Sequence, residues 1–328
     1  MQAADHVNGR AVSPPRYSEA AMPLLLCLAL CFSAASQRIG TPRIDMKTMQ
    51  KMIAGFDGTV GLAARNLETG EEVVVNGDTP FPTASAIKTA VMLESWHQVS
   101  EGSLSMDAVM TLRDRDKVGG SGVLNGLAEG LALKVRDLVH LMIVLSDNTA
   151  TNMLVERLGT KRIDDRLLSY GLEHTKIFRP TFRDGKPDVF PELEREFGLG
   201  MSTPKDMAQL MALIAERRAV NADASAAMLD TLRRQQDRAM IPRFLPDRVQ
   251  VGNKTGTDSE KQPDARGRRG AIRVDAAVVT GEHLRYVIAI FIRRGGDTTY
   301  GVDNEAVLLG ARLSRLVYDG WTGSADPR

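Results

Sequence analysis

Ser85 and Lys88 stand three residues apart in Thr83-Ala84-Ser85-Ala86-Ile87-Lys88, at the head of an apolar run that reaches Trp96. On a helix this spacing puts both side chains on one face, about one turn apart. A lysine that gives up its proton there can take the serine's and make a nucleophile. Unpaired backbone N–H groups at a helix start also favour negative charge. Ser85 could equally be a helix N-cap and nothing more. The same spacing recurs at Ser202-Thr203-Pro204-Lys205. There, Thr203 as N-cap and Pro204 at the first helical position are a sufficient explanation. The choice at Ser85 depends on partners elsewhere.

Two further triplets carry chemistry. Ser146-Asp147-Asn148 follows an apolar run ending at Leu145 and leads into Thr149-Ala150-Thr151-Asn152. A second serine with an amide two residues on can move protons and bind a substrate amide; Ser146 or Asp147 could instead cap the next helix. Lys254-Thr255-Gly256-Thr257 closes a β-rich run. The lysine supplies fixed positive charge, the threonine a hydroxyl for an anionic group, and the glycine lets a strand edge approach a ligand closely. Its plain alternative is a strand end with a snorkelling lysine.

These triplets must be positioned by the elements around them. Apolar periodicity predicts helices over Ile44–Phe56, Leu131–Leu145, Thr149–Leu158, Pro204–Glu216, Ala222–Arg233 and Asn304–Tyr318. Runs 59–67 and 71–75 around Glu68-Thr69-Gly70 read as a hairpin, and Gly270–Val279 with His283–Arg293 as a second. Arg248 to Lys254 is a further strand ending at the lysine triplet. Between Lys176 and Met201 the periodicity lapses into a long structured loop, the kind that is usually functional in a compact domain. Strands at both chain ends with helices between them give an α+β fold. It has one antiparallel sheet built from both termini and flanked by helices, with an all-helical lobe inserted. The sheet lobe is expected over about 37–83 and 245–328, the helical lobe over about 84–244, and a cleft where they meet. Gly119-Gly120-Ser121-Gly122 reads as a turn on the cleft edge.

Composition narrows the class. Forty-two basic and 41 acidic residues leave a formal charge of +1, so nothing argues for a nucleic-acid surface. Residues 20–35 hold the apolar run from Met22 to Phe32, with Arg10 and Arg16 before it and small residues after it. That is the build of a secretory signal over residues 1–36, with a retained membrane anchor as the alternative. Both cysteines, Cys27 and Cys31, fall inside it, so the exported protein would have no thiol and no disulfide. The histidines (His6, His97, His140, His174, His283) show no metal-ligand spacing. No Gly-x-Ser-x-Gly elbow or phosphate-cradling loop is present.

Taken together and in order, Ser-x-x-Lys, Ser-Asp-Asn and Lys-Thr-Gly are the set of class A β-lactamases and penicillin-binding proteins. The chain resembles the class A β-lactamase family over essentially all of residues 37–328. Leu141 to Asn152, the Ser202-Thr203-Pro204 helix start and Gly267-Arg268-Arg269-Gly270-Ala271-Ile272 are similar to it as well. The resemblance implies an exported serine hydrolase, periplasmic or secreted, that forms an acyl-enzyme with a β-lactam. It implies Ser85 as nucleophile, Lys88 as its proton acceptor and Ser146 as the proton carrier to the leaving nitrogen. Asn148 would bind the acylamide side chain. Lys254 would hold the local field; Thr255 and Arg269 would bind the substrate carboxylate; the N–H groups of Ser85 and Thr257, beside Gly256, would form the oxyanion hole. No metal or cofactor is implied, and no nucleic acid or, after signal removal, membrane partner; a monomer is expected.

One departure stands out. Class A enzymes use an acidic residue in the long loop to activate the deacylating water. Setting Pro191-Glu192-Leu193 on the family's Pro-Glu-Leu puts Phe190 in the place of that acid and Glu194 in the place of a loop asparagine. Glu192, Glu194 and Glu196 are the nearby substitutes, with solvated surface acids as the plain reading. Asp258 to Arg266 looks inserted and could reshape the cleft rim. The rival readings are a D-alanyl-D-alanine peptidase or esterase on the same scaffold, and a penicillin-binding protein that stays acylated; the missing loop glutamate favours the latter.

Overall fold

The computed structural model describes residues 44–265 and 267–323; the expected signal segment, with Cys27 and Cys31, lies outside them. The first described helix, α1 (Met46–Ala54), starts where the Asp45 side chain accepts the Thr48 N–H, and it buries Met49 completely. Strands β1 (Thr59–Asn66) and β2 (Glu72–Val75) form the expected hairpin. Asn66 Oδ1 holds its turn by accepting from Glu68 N and Thr69 N. Next come β3 (Phe81–Pro82), one turn of 3-10 helix over Ala84–Ile87, and α2 (Lys88–Ser100).

The middle of the chain is helical, with short strands set between. β4 (Val109–Thr111) pairs with β5 (Ala132–Lys134), so the helix expected from Leu131 begins instead as a strand. Tertiary pairing overrides the local pattern there, and the Asp137 side chain, accepting Lys134 N, starts α3 (Val135–Val144). Helices α4 (Asn148–Leu158) and α5 (Thr160–Ser169) follow. The long loop is structured as expected: β6 (Lys176–Ile177), α6 (Pro191–Phe197) and β7 (Gly200–Ser202) shape it. α7 (Pro204–Ala215) begins with Thr203 capping Asp206 N, and α8 (Ala222–Arg233) with Asn221 capping Ala224 N.

The chain then returns to the sheet through β8 (Gln250–Ser259), β9 (Ala271–Thr280) and β10 (Arg285–Gly295), and the last described element is α9 (Glu305–Thr322). The sheet is antiparallel with order β2-β1-β10-β9-β8, built from both ends of the chain. β9 and β10 are buried almost throughout because both faces are covered. On one face Ala276, Val287, Ala289 and Phe291 join Ile87, Met92, Leu138 and Leu210 of the helical region in a single cluster. On the other, Leu62, Ile288 and Ile290 meet Met49, Leu313 and Val317 of the terminal helices. The helical region therefore shares its core with the sheet rather than forming one of its own. β8 lies at the sheet edge and runs on to Ser259, paired with β9 through Ser259 and Ala271. The Lys-Thr-Gly triplet is thus inside a strand, not at its end.

Candidate active site

The turn that carries Ser85 is locked from two sides. Thr83 N donates to Gly200 O at 2.9 Å and Ala86 N to Thr83 O at 3.1 Å. Gly256 of β8 presses against the same turn. A Cβ added there would collide with Thr83 O and lie 3.0 Å from Ala86 N and 3.2 Å from Ser85 N. Only glycine allows this approach. Ala84, just before Ser85, has φ +43°, unusual for a residue with a side chain. Strain of that kind gathers where the surrounding structure holds a functional group in place. Ser85 and Thr257 both face the cleft, one part of which encloses about 530 Å³.

Lys88 opens α2 and is completely buried. Its Nζ donates to Ser146 O (2.7 Å), Ser146 Oγ (3.1 Å) and Asn148 Oδ1 (2.7 Å). Burial, then the charge on Lys254, push its proton affinity well below that of an ordinary lysine, against the pull of Asp147. From the opposite side Lys254 Nζ donates to the same Ser146 Oγ at 3.1 Å and to Thr255 O at 2.7 Å. Burial brings Lys254 down to about 8, with Asp237 and Asp275 pulling upward.

Ser146 itself has φ +55°, a sharp turn between α3 and α4. The cap expected at this point exists, and Asp147 supplies it: Oδ1 accepts Ala150 N, while Oδ2 accepts Val123 N and Leu124 N. Ser146 is thereby released for the two lysines. The Gly-rich turn does edge the cleft: Asn148 Nδ2 donates to Gly119 O, Ser121 Oγ to Ser146 O, and Gly120 and Ser121 line the wall.

Ser85, Lys88, Ser146, Asn148, Lys254, Thr255, Gly256 and Thr257 are therefore brought together. Four candidates are not. Arg269 is exposed on the segment entering β9 and lines neither part of the cleft. Arg273 of β9 stands opposite Thr257 in the β8–β9 register, but it is buried and, like Arg269, lines neither part of the cleft. It donates to Asp258 O and Thr299 O and lies 5.2 Å from the ring centre of Tyr300, a cleft residue. Alternation along β9 was the available signal: Arg273 and Asp275 share a strand face between buried apolar residues.

The loop glutamates lie elsewhere too, because α6 carries them away from Ser85. Glu192 and Glu196 are exposed, paired with Arg195 and Arg293, and border a separate cavity of about 610 Å³. Glu194 is buried, accepting from Arg179 Nε at 2.8 Å and Gly185 N at 3.1 Å. The loop meets the cleft through Arg179, Thr181, Phe182 and Asp184 instead. Asp184 pairs with Arg179 and, at 3.4 Å, with Lys261. Thr181 is held by Asn152, which accepts its N–H (2.7 Å) and hydroxyl (2.8 Å) and donates to its carbonyl (3.1 Å). Of the inserted-looking stretch, Asp258 and Lys261 line the cleft rim. Among the described residues no cluster of His, Cys, Asp and Glu has a metal-holding arrangement, and no helix is long and apolar enough to cross a membrane.

The sequence profile of the β-lactamase enzyme family matches residues 46–321, a span that contains every one of these groups. The chain belongs to the β-lactamase enzyme family. A β-lactamase of Bacteroides uniformis is 25% identical over 311 residues, 92% of this chain and 98% of its own. Among solved structures, the β-lactamase of Sphaerobacter thermophilus superposes with a TM-score of 0.73 at 28% identity, covering 86% of this chain and all of its own. PBP-A superposes at 0.71 and 26% identity, covering 85% and 96%; a single-residue variant of it has been solved as an acyl-enzyme with penicillin G. The likeness reaches both a β-lactamase and PBP-A. The fold, mixed helix and antiparallel sheet, is the one these family members share.

Proposed function

We propose that this β-lactamase family member is a class A-type serine acyl-enzyme that opens β-lactam amides at Ser85. One observation carries the reading: Ser146 Oγ lies 3.1 Å from both Lys88 Nζ and Lys254 Nζ. A hydroxyl has two lone pairs and one proton. With both lone pairs taken by lysines, the proton of Ser146 is left to point into the cleft, toward a leaving nitrogen.

The step balances as follows. Lys88, once it has released one of the three protons it donates to Ser146 O, Ser146 Oγ and Asn148 Oδ1, takes the Ser85 proton as Oγ bonds to the lactam carbonyl carbon. The C–N bond breaks, the nitrogen takes the Ser146 proton, and Lys88 reloads Ser146. The net result is an ester on Ser85 and the serine's proton on the nitrogen. N–H groups of Ser85 and Thr257 would stabilise the oxyanion, at about 3–4 kcal/mol per donor. Asn148 would take the acylamide oxygen or nitrogen. Thr255 would bind the carboxylate in the field of Lys254; the Arg273 guanidinium, spent on the carbonyls of Asp258, Ile272 and Thr299, adds charge behind the strand rather than a direct contact. Export to the periplasm or medium, and action as a monomer, belong to the same proposal. The first rests on the signal-like residues 1–36.

Water attack is the weaker half of the site, since Glu192 and Glu196 face solvent and Glu194 is spent on Arg179. That observation favours slow release, and a second reading as a penicillin-binding protein or peptidase, for which the likeness to PBP-A speaks too. Penicillin G mixed with the 37–328 protein separates the two. Steady ring opening over many equivalents, abolished in Ser85→Ala, establishes a β-lactamase. One equivalent of lasting adduct establishes the second reading, and neither adduct nor turnover removes both.

A further inference from the structure

Phe182 has φ +56°, a left-handed conformation that a bulky side chain rarely adopts, and the residue is 58% exposed. Neither fact suits a core residue. Its ring lies across the cleft against the opposite wall: a Cβ added to Gly120 would stand 2.8 Å from Phe182 Cζ and 2.6 Å from Asn148 Nδ2. Gly120 itself has φ +79°, so the backbone shape and the free space at that point both require glycine. The chain on either side of Phe182 is fixed. Asn152 clamps Thr181, Arg183 pairs with Glu156, and Asp184 pairs with Arg179 and Lys261.

We propose that Phe182 determines substrate specificity: its ring, seated on Gly120 beside Asn148, roofs the end of the cleft that takes the acyl side chain. The inference rests on the reading of Asn148 as the acylamide ligand. A flat aryl side chain slides beneath the ring or stacks on it, with Tyr300 on the facing rim of the same cavity. A side chain crowded next to its amide cannot enter until the ring leaves Gly120, and then loses the contact that the strained backbone maintains. Shape exclusion of this kind acts on the reaction of one substrate relative to another, not on the chemistry at Ser85.

The test measures second-order acylation of the 37–328 protein by intact mass, so that deacylation does not enter. The two probes are penicillin G, with a flat benzyl group, and a 2,6-dimethoxyphenyl penicillin, crowded at its amide. Wild type is expected to react at least a hundredfold faster with the first. Phe182→Ala should shrink that ratio at least tenfold by speeding the crowded probe through tighter initial binding. Phe182→Tyr, which keeps the ring, should retain the wild-type ratio and guards against a folding defect in the alanine variant. Equal slowing of both probes in Phe182→Ala, or an unchanged ratio, overturns the proposal with the acyl-enzyme reading intact. No adduct with either probe in wild type overturns that reading and this inference with it.

Discussion

Ser146 shows how a residue of ordinary type acquires a role from its neighbours. Its triplet could have been a helix cap, and a cap is present, on Asp147 next door. The two readings, open in the sequence, apply to adjacent residues. Ser85, Lys88, Asn148 and the Lys254 triplet were legible because local spacing and order carry them, and the fold brings them to one cleft. The loop glutamates were not legible: motif register in a loop without periodicity does not say which residues turn inward, and α6 turns Glu192 and Glu196 outward. Arg273 was legible only as one of an alternating polar pair on β9, since its pairing with Thr257 is a long-range fact that no local pattern carries. At this scale the prediction concerns the proton path. Ser146→Ala leaves the leaving nitrogen without a donor and should slow acylation by penicillin roughly 10²–10⁴-fold, measured as adduct formation under single turnover. A loss below tenfold would mean that the proton travels another way.

The pressing of β8 on the Ser85 turn is the element-scale feature on which the site depends. Most elements followed from periodicity and turn chemistry: the first hairpin, α4, α7, α8 and α9 lie within a few residues of expectation. Those that did not were settled by pairing with distant chain. β5 replaces a helix start because β4 is there to pair with it, and β8 outlasts its apolar pattern because β9 continues beside it. Gly256 makes the contact between strand and turn. Gly256→Ala must displace Thr83 or the strand, and the cost of such overpacking is about 1–3 kcal/mol. Urea unfolding should show that loss, and acylation of the folded variant should fall more than a hundredfold as the Ser85 and Thr257 N–H groups separate. Wild-type acylation in a folded Gly256→Ala would show that the close approach does not position the nucleophile.

Across the whole molecule, both sheet faces are covered, and several ionisable groups are covered with them. Asp164 of α5 accepts Ile177 N through one oxygen; the other is buried with no hydrogen-bond partner among the described residues. Burial, the largest influence, pushes its carboxyl up to about 7. The unfolded chain ionises nearer 4, so the favourable contribution of the protonated group is complete at low pH and is lost as pH rises toward 7. The slope for one proton is about 1.4 kcal/mol per pH unit. Asn at this position keeps the acceptor for Ile177 and cannot ionise. Asp164→Asn should therefore match wild type in urea midpoint near pH 4, exceed it increasingly up to pH 7, and hold a constant advantage above. A pH-independent difference would contradict the buried neutral carboxyl. The α+β assembly from both chain ends was readable because apolar strands sit at the termini and helical periodicity lies between. The continuous core joining helices to sheet was not, because helix periodicity marks a buried face without naming what covers it.

The claim that Ser85 becomes acylated, with the turn, the two lysines and Ser146 arranged around it, is tested most directly by peptide mapping. The 37–328 protein, quenched in acid after brief exposure to penicillin G, is digested and its peptides weighed. The peptide containing Ser85 should carry the mass of one opened penicillin, and Ser85→Ala should carry none on any peptide. An unmodified Ser85 peptide alongside adduct elsewhere, or equal labelling of Ser85→Ala, would contradict the account.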